Sequence, residues 1–295
     1  MPDRLARTLS ADGTVRGLAA VTTGLVEEAR LRHGTLPTAS AALGRTLTAA
    51  LLLGGLLKTG ERVSLELSGD GPLGGILADA TPDGEVRGFV SRPDVHLPAR
   101  AGKLDVSGAV GRGLLCVMRR PAGDGTPYRS IVPLVSGEIG GDVASYLVGS
   151  EQIPSAVGVG VFVEPDGRVS AAGGYLLQAM PGAEPATIAR LEANVGAAAA
   201  PSDLVRQGLG APAILERLLA GFPTHVLEEH PVRFQCGCNR ERVAAAIVAM
   251  GRAELLDVLA GERRAEVVCR FCAARYEVDE DELRALLAGA GDGRV

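Results

Sequence analysis

Glu61 to Val90, Glu-Arg-Val-Ser-Leu-Glu-Leu-Ser-Gly-Asp-Gly-Pro-Leu-Gly-Gly-Ile-Leu-Ala-Asp-Ala-Thr-Pro-Asp-Gly-Glu-Val-Arg-Gly-Phe-Val, reads as three short strands joined by two tight turns. Val63–Leu67, Gly75–Ala80 and Val86–Val90 carry the β-type runs. Gly-Asp-Gly-Pro and Pro-Asp-Gly supply the turn residues between them. The rhythm continues through Gly113–Arg119 and Tyr128–Val132, on either side of Gly123-Asp-Gly-Thr126, and through Val157–Val163 and Val169–Leu177 around Pro165-Asp-Gly167. Upstream, 4–10 and 14–22 read as a hairpin about Asp12-Gly13. They are followed by a helix from Gly24 to His33 that stops at Gly34, and by a longer Ala/Leu-rich helix from about Thr38 to Leu57. A further helix is expected from about Gly141 to Ser150. Strands and helices without regular βαβ alternation predict an α+β fold on a mainly antiparallel sheet.

The texture changes after Met180. Residues 181–231 are rich in Ala and Pro and carry short amphipathic segments such as Pro212–Leu219. Leu204, Leu209, Ile214, Leu215, Leu218 and Leu219 are too many apolar side chains for a solvated tether. The stretch is therefore expected to lie packed on the core as a helical linker of modest local stability. From Val232 a cysteine-bearing module is expected: helices after Asn239 and near Ala253–Leu259, a β pair around Val267 and Tyr276, and a last helix from Asp279. The sequence thus divides into a core domain (1–180), a helical linker region (181–231), a small C-terminal domain (232–289) and a tail (290–295).

The 295 residues carry a net charge of −5, with apolar residues at 46% and charged residues at 22%. That balance suits a globular core and argues against nucleic acid as the main partner, because phosphate neutralisation needs concentrated Lys and Arg. The start, Met1-Pro-Asp-Arg4, lacks a signal-peptide pattern. The most apolar stretch, Thr46–Leu57, is too short to span a bilayer. A cytoplasmic protein without a membrane partner is expected, and in that reducing compartment clustered cysteines point to metal or redox chemistry.

The cysteine pattern is Cys236-Gly-Cys238, 30 intervening residues, then Cys269-Arg-Phe-Cys272. Each close pair chelates from one tight turn, and four thiolates suit one tetrahedral zinc ion in a closed site with no position open to substrate. Gly237 permits close approach of the chain between two ligands. Four thiolates on a divalent ion leave an excess of negative charge, which Arg240, Arg242, Arg270 and Arg275 flank and are expected to offset. Spacing alone leaves two readings open, a constitutive structural module and a redox switch. The chemistry permits the second: bound thiolates stay nucleophilic toward peroxide and hypochlorous acid, and a sulfenic acid is attacked by a neighbouring thiolate.

Other features have plainer readings. Cys116, in Gly-Leu-Leu-Cys-Val-Met, is expected to be a buried structural thiol. His225 and His230 precede a module whose four cysteines already fill a tetrahedral site, and His33 and His96 read as surface residues. Gly69-Asp-Gly-Pro-Leu-Gly-Gly75 lacks the Gly-Lys-Ser/Thr ending and the following helix of a phosphate loop, so a β-turn is expected. Asp279-Glu-Asp-Glu282 reads as the acidic first turn of the last helix. No Ser–His–Asp or paired-carboxylate arrangement supports an enzyme. A thiol oxidoreductase would need Cys269-Arg-Phe-Cys272 at a helix start after a strand in a thioredoxin-like unit, which the upstream pattern lacks.

Several stretches resemble one family, the bacterial redox-regulated holdase chaperones called heat shock protein 33. They are Phe234-Gln-Cys-Gly-Cys238 followed by Arg240-Glu-Arg-Val243, and Cys269-Arg-Phe-Cys272 followed by Tyr276. In the core they are Gly69–Gly75, Ser136-Gly-Glu-Ile139, Ser150-Glu-Gln-Ile-Pro-Ser-Ala156 and Gly173-Gly-Tyr-Leu-Leu-Gln178. The resemblance spans nearly the whole chain in the same order, and the Cys-x-Cys…Cys-x-x-Cys ending differs from the two Cys-x-x-Cys knuckles of generic zinc ribbons. It implies zinc on Cys236, Cys238, Cys269 and Cys272 in an inactive reduced form. It further implies oxidation to the disulfides Cys236–Cys238 and Cys269–Cys272 with zinc release and linker unfolding, then ATP-independent binding of unfolding clients, often as a homodimer. The Ala- and Pro-rich linker departs from the more charged one expected of the family, so its threshold for activation is expected to be higher.

Overall fold

The structure is a computed structural model that describes residues 1–289; the tail 290–295 lies outside the described residues. The chain divides into two compact units, Met1–Gln235 and Cys236–Val295. The first unit opens with strands β1 (Arg4–Ser10) and β2 (Val15–Val21) and helices α1 (Thr23–His33) and α2 (Pro37–Gly54). Next come β3 (Arg62–Gly69), β4 (Ile76–Ala80), β5 (Glu85–Val90), α3 (Val106–Val110), β6 (Gly113–Arg120), β7 (Tyr128–Pro133) and α4 (Gly140–Gly149). It closes with β8 (Ser155–Val163), β9 (Val169–Ala179), α5 (Pro185–Ala197), α6 (Pro201–Arg206), α7 (Ala211–Leu218), β10 (Thr224–Pro231) and β11 (Arg233–Phe234).

The strands form two sheets, ordered β10-β1-β2-β9-β8 and β11-β5-β4-β3-β6-β7. All their pairings are antiparallel except β11 with β5, so the α+β class expected from the sequence is the observed one. Helix α2 explains how two sheets share one core. From Thr38 to Gly54 it is buried at every position but Arg45, as a helix apolar all round must be, and it packs against β4 and β5 of one sheet and β8 and β9 of the other. Gly44 makes this approach possible: a Cβ there would lie 2.4 Å from Val26 Cγ1 and 2.9 Å from Val161 Cγ2. The helix stops at Gly54-Gly55, before the Leu57 expected from its apolar run, because paired glycines end its propensity advantage there.

Residues 181–231 belong to the first unit. Leu191 of α5, Leu204 of α6 and Ala211, Ile214, Leu215 and Leu218 of α7 form one cluster with Ala6, Val15, Ala19, Val21, Tyr175 and Leu177 of the sheet. Full burial of a side chain of this size contributes roughly 1.5–3 kcal/mol. The end of the segment differs from the helical expectation. Thr224–Pro231 is strand β10, paired along β1 from Ser10↔Thr224 to Arg4↔Pro231. Thr-His-Val-Leu-Glu-Glu-His-Pro has no apolar stripe at helical spacing, and the free edge of β1 satisfies its backbone. Val232 and Phe234 are likewise buried in the first unit.

The phosphate-loop look-alike at Gly69–Gly75 is the connection between β3 and β4, as expected, with no helix after it. The short α3 escaped the sequence reading because five residues are too few to show a period; Asp105 Oδ1 accepts from Gly108 N at 2.9 Å and starts it. Among the described residues no helix is long and apolar enough to cross a membrane.

Candidate metal centre

The second unit contains α8 (Arg240–Met250), α9 (Arg252–Ala260), the hairpin β12 (Ala265–Val268) and β13 (Arg275–Val278), and α10 (Glu280–Gly289). Its own core is small: Val243, Ile247, Leu255, Val278 and Leu283, with Val267 and Tyr276 against them. A core of that size rarely stabilises so short a segment without a cross-link or a metal. Local signals set the frame. Asn239 Oδ1 accepts from Arg242 N at 2.9 Å and caps α8 directly after the first cysteine pair. Asp279 Oδ1 accepts from Glu282 N at 2.9 Å and starts α10, which accounts for the acidic run there. Between β12 and β13, Cys269 N donates to Ala274 O and Ala273 N to Cys269 O, with Ala273 in the left-handed region at φ 56°. That tight turn aims Cys269 and Cys272 the same way.

The four sulfurs of Cys236, Cys238, Cys269 and Cys272 lie within 4.8 Å of one another, and among the described residues no histidine or carboxylate joins the group. Cys236 Sγ is 3.7 Å from Cys269 Sγ, and Cys238 Sγ is 3.3 Å from Cys272 Sγ. All are free thiols, Cys272 buried and the other three partly so. Thiolates at about 2.3 Å from one tetrahedral zinc ion stand about 3.8 Å apart, so the donor set fits that ion by number, element and spacing.

The protonation balance points the same way. Burial and the neighbouring thiols push Cys272 up, and burial also raises Cys236 despite the Cys238 amide donated to its sulfur. At Cys238 burial is outweighed by hydrogen bonds from the Tyr276 hydroxyl and the other thiols, and its pKa falls to about 7. One thiolate forms readily in the bare cluster while Cys236 and Cys272 resist. A cation at the centre would offset the mutual repulsion of thiolates held this close.

The sequence reading missed Tyr276 as a partner of the site. Its hydroxyl donates to Cys238 Sγ at 3.2 Å, which pushes the phenol itself up to about 12. A tyrosine on a hairpin gives no sequence signal for this beyond its distance from Cys272. The flanking arginines are placed as follows. Arg242 Nη1 lies 3.0 Å from where a Cβ on Gly237 would be, so its guanidinium sits over the first ligand turn. Arg240 donates to Glu282 at 2.6 Å and to Glu277 O at 3.0 Å, and Arg275 is ion-paired with Glu266. Arg270 follows Cys269 in the turn itself.

Of the remaining candidates, Cys116 is buried in β6 with Arg129 Nε donating to its sulfur at 3.1 Å. His225 and His230 lie on β10, and His96 is exposed with Nδ1 3.0 Å from Thr38 Oγ1. His33 differs from its surface expectation in being half-buried, at the end of α1.

A large α+β unit and a small one closed around four thiols define the class, a protein with a C-terminal module whose clustered cysteines could hold a metal ion. The family model described as Hsp33 protein matches residues 3–279. The 33 kDa chaperonin of Bacillus subtilis (strain 168) is 46% identical over 286 residues, covering 96% of this chain and 98% of its own. That of Geobacter sp. (strain M21) is 44% identical over 288 residues, 98% of each. The crystal structure of the 33 kDa chaperonin (heat shock protein 33 homologue) from Thermotoga maritima superposes with a TM-score of 0.93 at 37% identity, over 99% of this chain and 100% of that one. The chain belongs to the Hsp33 family of chaperones.

Proposed function

We propose that this chain is a redox-regulated, ATP-independent holdase, without enzymatic activity, that acts in the cytoplasm. In the reduced resting form Cys236, Cys238, Cys269 and Cys272 hold one zinc ion, which supplies the positive charge that lets four thiolates coexist and the cross-link the small core lacks. Each two-electron oxidant equivalent converts one thiolate to a sulfenic acid. The neighbouring thiolate then attacks that sulfur, expelling hydroxide and closing a disulfide. Two such events, Cys236 with Cys238 and Cys269 with Cys272, remove all four ligands and leave only tiny loops, which constrain the module little.

The observation that carries this reading is the sulfur cluster within 4.8 Å, in a unit whose core has few buried side chains. Any pairing is within reach of such a cluster, so connectivity is the point to test. A Cys238–Cys272 bond would staple the module across its helices and work against a switch. Loss of the module is proposed to weaken the hold on residues 181–231, whose apolar side chains then leave the sheet and, with the sheet face beneath, offer unfolding clients an apolar surface. A homodimer of the oxidised form is part of the proposal.

The deciding experiment follows zinc release and suppression of thermal aggregation of a test protein together, before and after hypochlorous acid, with peptide mapping of the disulfides. Zinc loss with proximal disulfides and a gain of protection that a thiol reductant reverses is expected. Zinc loss with no gain in protection would sink the switch and leave a structural module.

A further inference from the structure

Helix α5 sits on its sheet differently from its neighbour α6. Helix α6 lies close along β8 and β9, whereas α5 packs its backbone against α7 and stands off from the strands. Asn194 fixes that stance by donating to Leu218 O and Ala220 O, each at 3.0 Å, and Arg190 by donating to Gly221 O at 3.0 Å. The face turned to the sheet carries Ile188, Leu191 and Val195, at the spacing of successive helical turns. Below it Ala156 of β8 is paired with Leu177 of β9, and Ala179 follows on the same face of β9. Two of those three strand positions are alanines, too small to fill the gap beneath the helix.

The result is a cavity of about 440 Å³, partly open to solvent, with these six side chains in its wall. Its size is that of a small-ligand site. Two polar side chains join the lining, Ser155 and Glu192. Ser155 Oγ is already committed, donating to Ile153 O at 2.8 Å and accepting from Gln178 Nε2 at 3.1 Å. Glu192 is exposed at the rim and has no hydrogen-bond or ion-pair partner among the described residues. No Lys, Arg or His among the described residues lines the cavity. An apolar wall with one free carboxylate at its mouth favours an apolar body with a positive head and disfavours an anionic amphiphile.

We propose that this cavity binds a small hydrophobic ammonium, a protonated alkyl or aryl amine, with its hydrocarbon between α5 and the strands and its charge beside Glu192. Burial of the hydrocarbon supplies most of the affinity, and Glu192 sets the sign of the charge accepted. The void interrupts the apolar contacts that would otherwise join α5 to the strands. A ligand that touches α5, β8 and β9 together therefore holds the helix in its seat.

Calorimetric titration of the reduced, zinc-loaded full chain with n-octylammonium chloride tests this, with sodium octanoate as the anion of the same length. Saturable binding of octylammonium at about 1 mM or tighter is expected, with octanoate about fivefold weaker or worse. Glu192→Gln should weaken octylammonium binding about threefold to fivefold and narrow its advantage over octanoate. Ala156→Leu, which fills the cavity, should abolish binding. Hydrogen exchange across residues 185–197 should slow when octylammonium is bound. No saturable binding to the wild type, octanoate bound as tightly as octylammonium, or unchanged affinity in Glu192→Gln overturns the site. If Ala156→Leu fails to fold, Glu192→Gln at its exposed position and the exchange of the wild type decide.

Discussion

Single side chains set the chemistry of the thiol cluster. The Tyr276 hydroxyl, 3.2 Å from Cys238 Sγ, donates a hydrogen bond to the cluster. It stabilises the thiolate it touches, so Tyr276→Phe is expected to lower zinc affinity by about tenfold or more, as read by competition with a chromogenic chelator. In the first unit Glu27 links α1 to β9. Its carboxylate accepts from Arg30 at 2.7 and 2.8 Å and from Val169 N at 2.9 Å. The Arg30 bonds, opposed in part by burial, hold its pKa below the usual 4.5. A depressed carboxylate contributes stability above its unfolded pKa and loses it as pH falls through the folded one. Glu27→Gln should therefore cost about 1 kcal/mol at pH 7. The difference should vanish in acid below the folded pKa, as denaturant melts at several pH values would show.

At the scale of elements, the segment 181–231 decides how the molecule could change state. Its helices hold on through one apolar cluster, in which Ile214 and Leu218 are completely buried, while β10 holds on through backbone pairing with β1 and leaves Val226 and Leu227 half exposed. Ile214→Ala should remove about 2–5 kcal/mol from the seating of α7. Hydrogen exchange is expected to show faster opening of residues 185–218 in the reduced, zinc-bound form, with client protection appearing at lower oxidant. Unchanged exchange there would mean that α5–α7 open only together with the rest of the unit.

For the whole molecule, two units with separate cores imply two separable transitions. Removing metal with a chelator under reducing conditions should melt the second unit, whose core is small, and leave the two-sheet unit folded. Calorimetry would then show the loss of one transition and the survival of the other. A single unchanged endotherm would mean that the second unit does not depend on its metal. Much of this was legible in sequence, because it rests on local rules. Turn dipeptides and β-type runs marked the strands, Asn239 and Asp279 marked helix starts, and the Cys-x-Cys and Cys-x-x-Cys pairs marked the four thiols that cluster. What sequence could not supply depends on contacts between distant residues. That two sheets share α2, that Thr224–Pro231 is an edge strand on β1, and that Tyr276 reaches Cys238 were decided only by the tertiary structure. Pairing partners follow from how strands cross in space, and no periodicity along the chain records them.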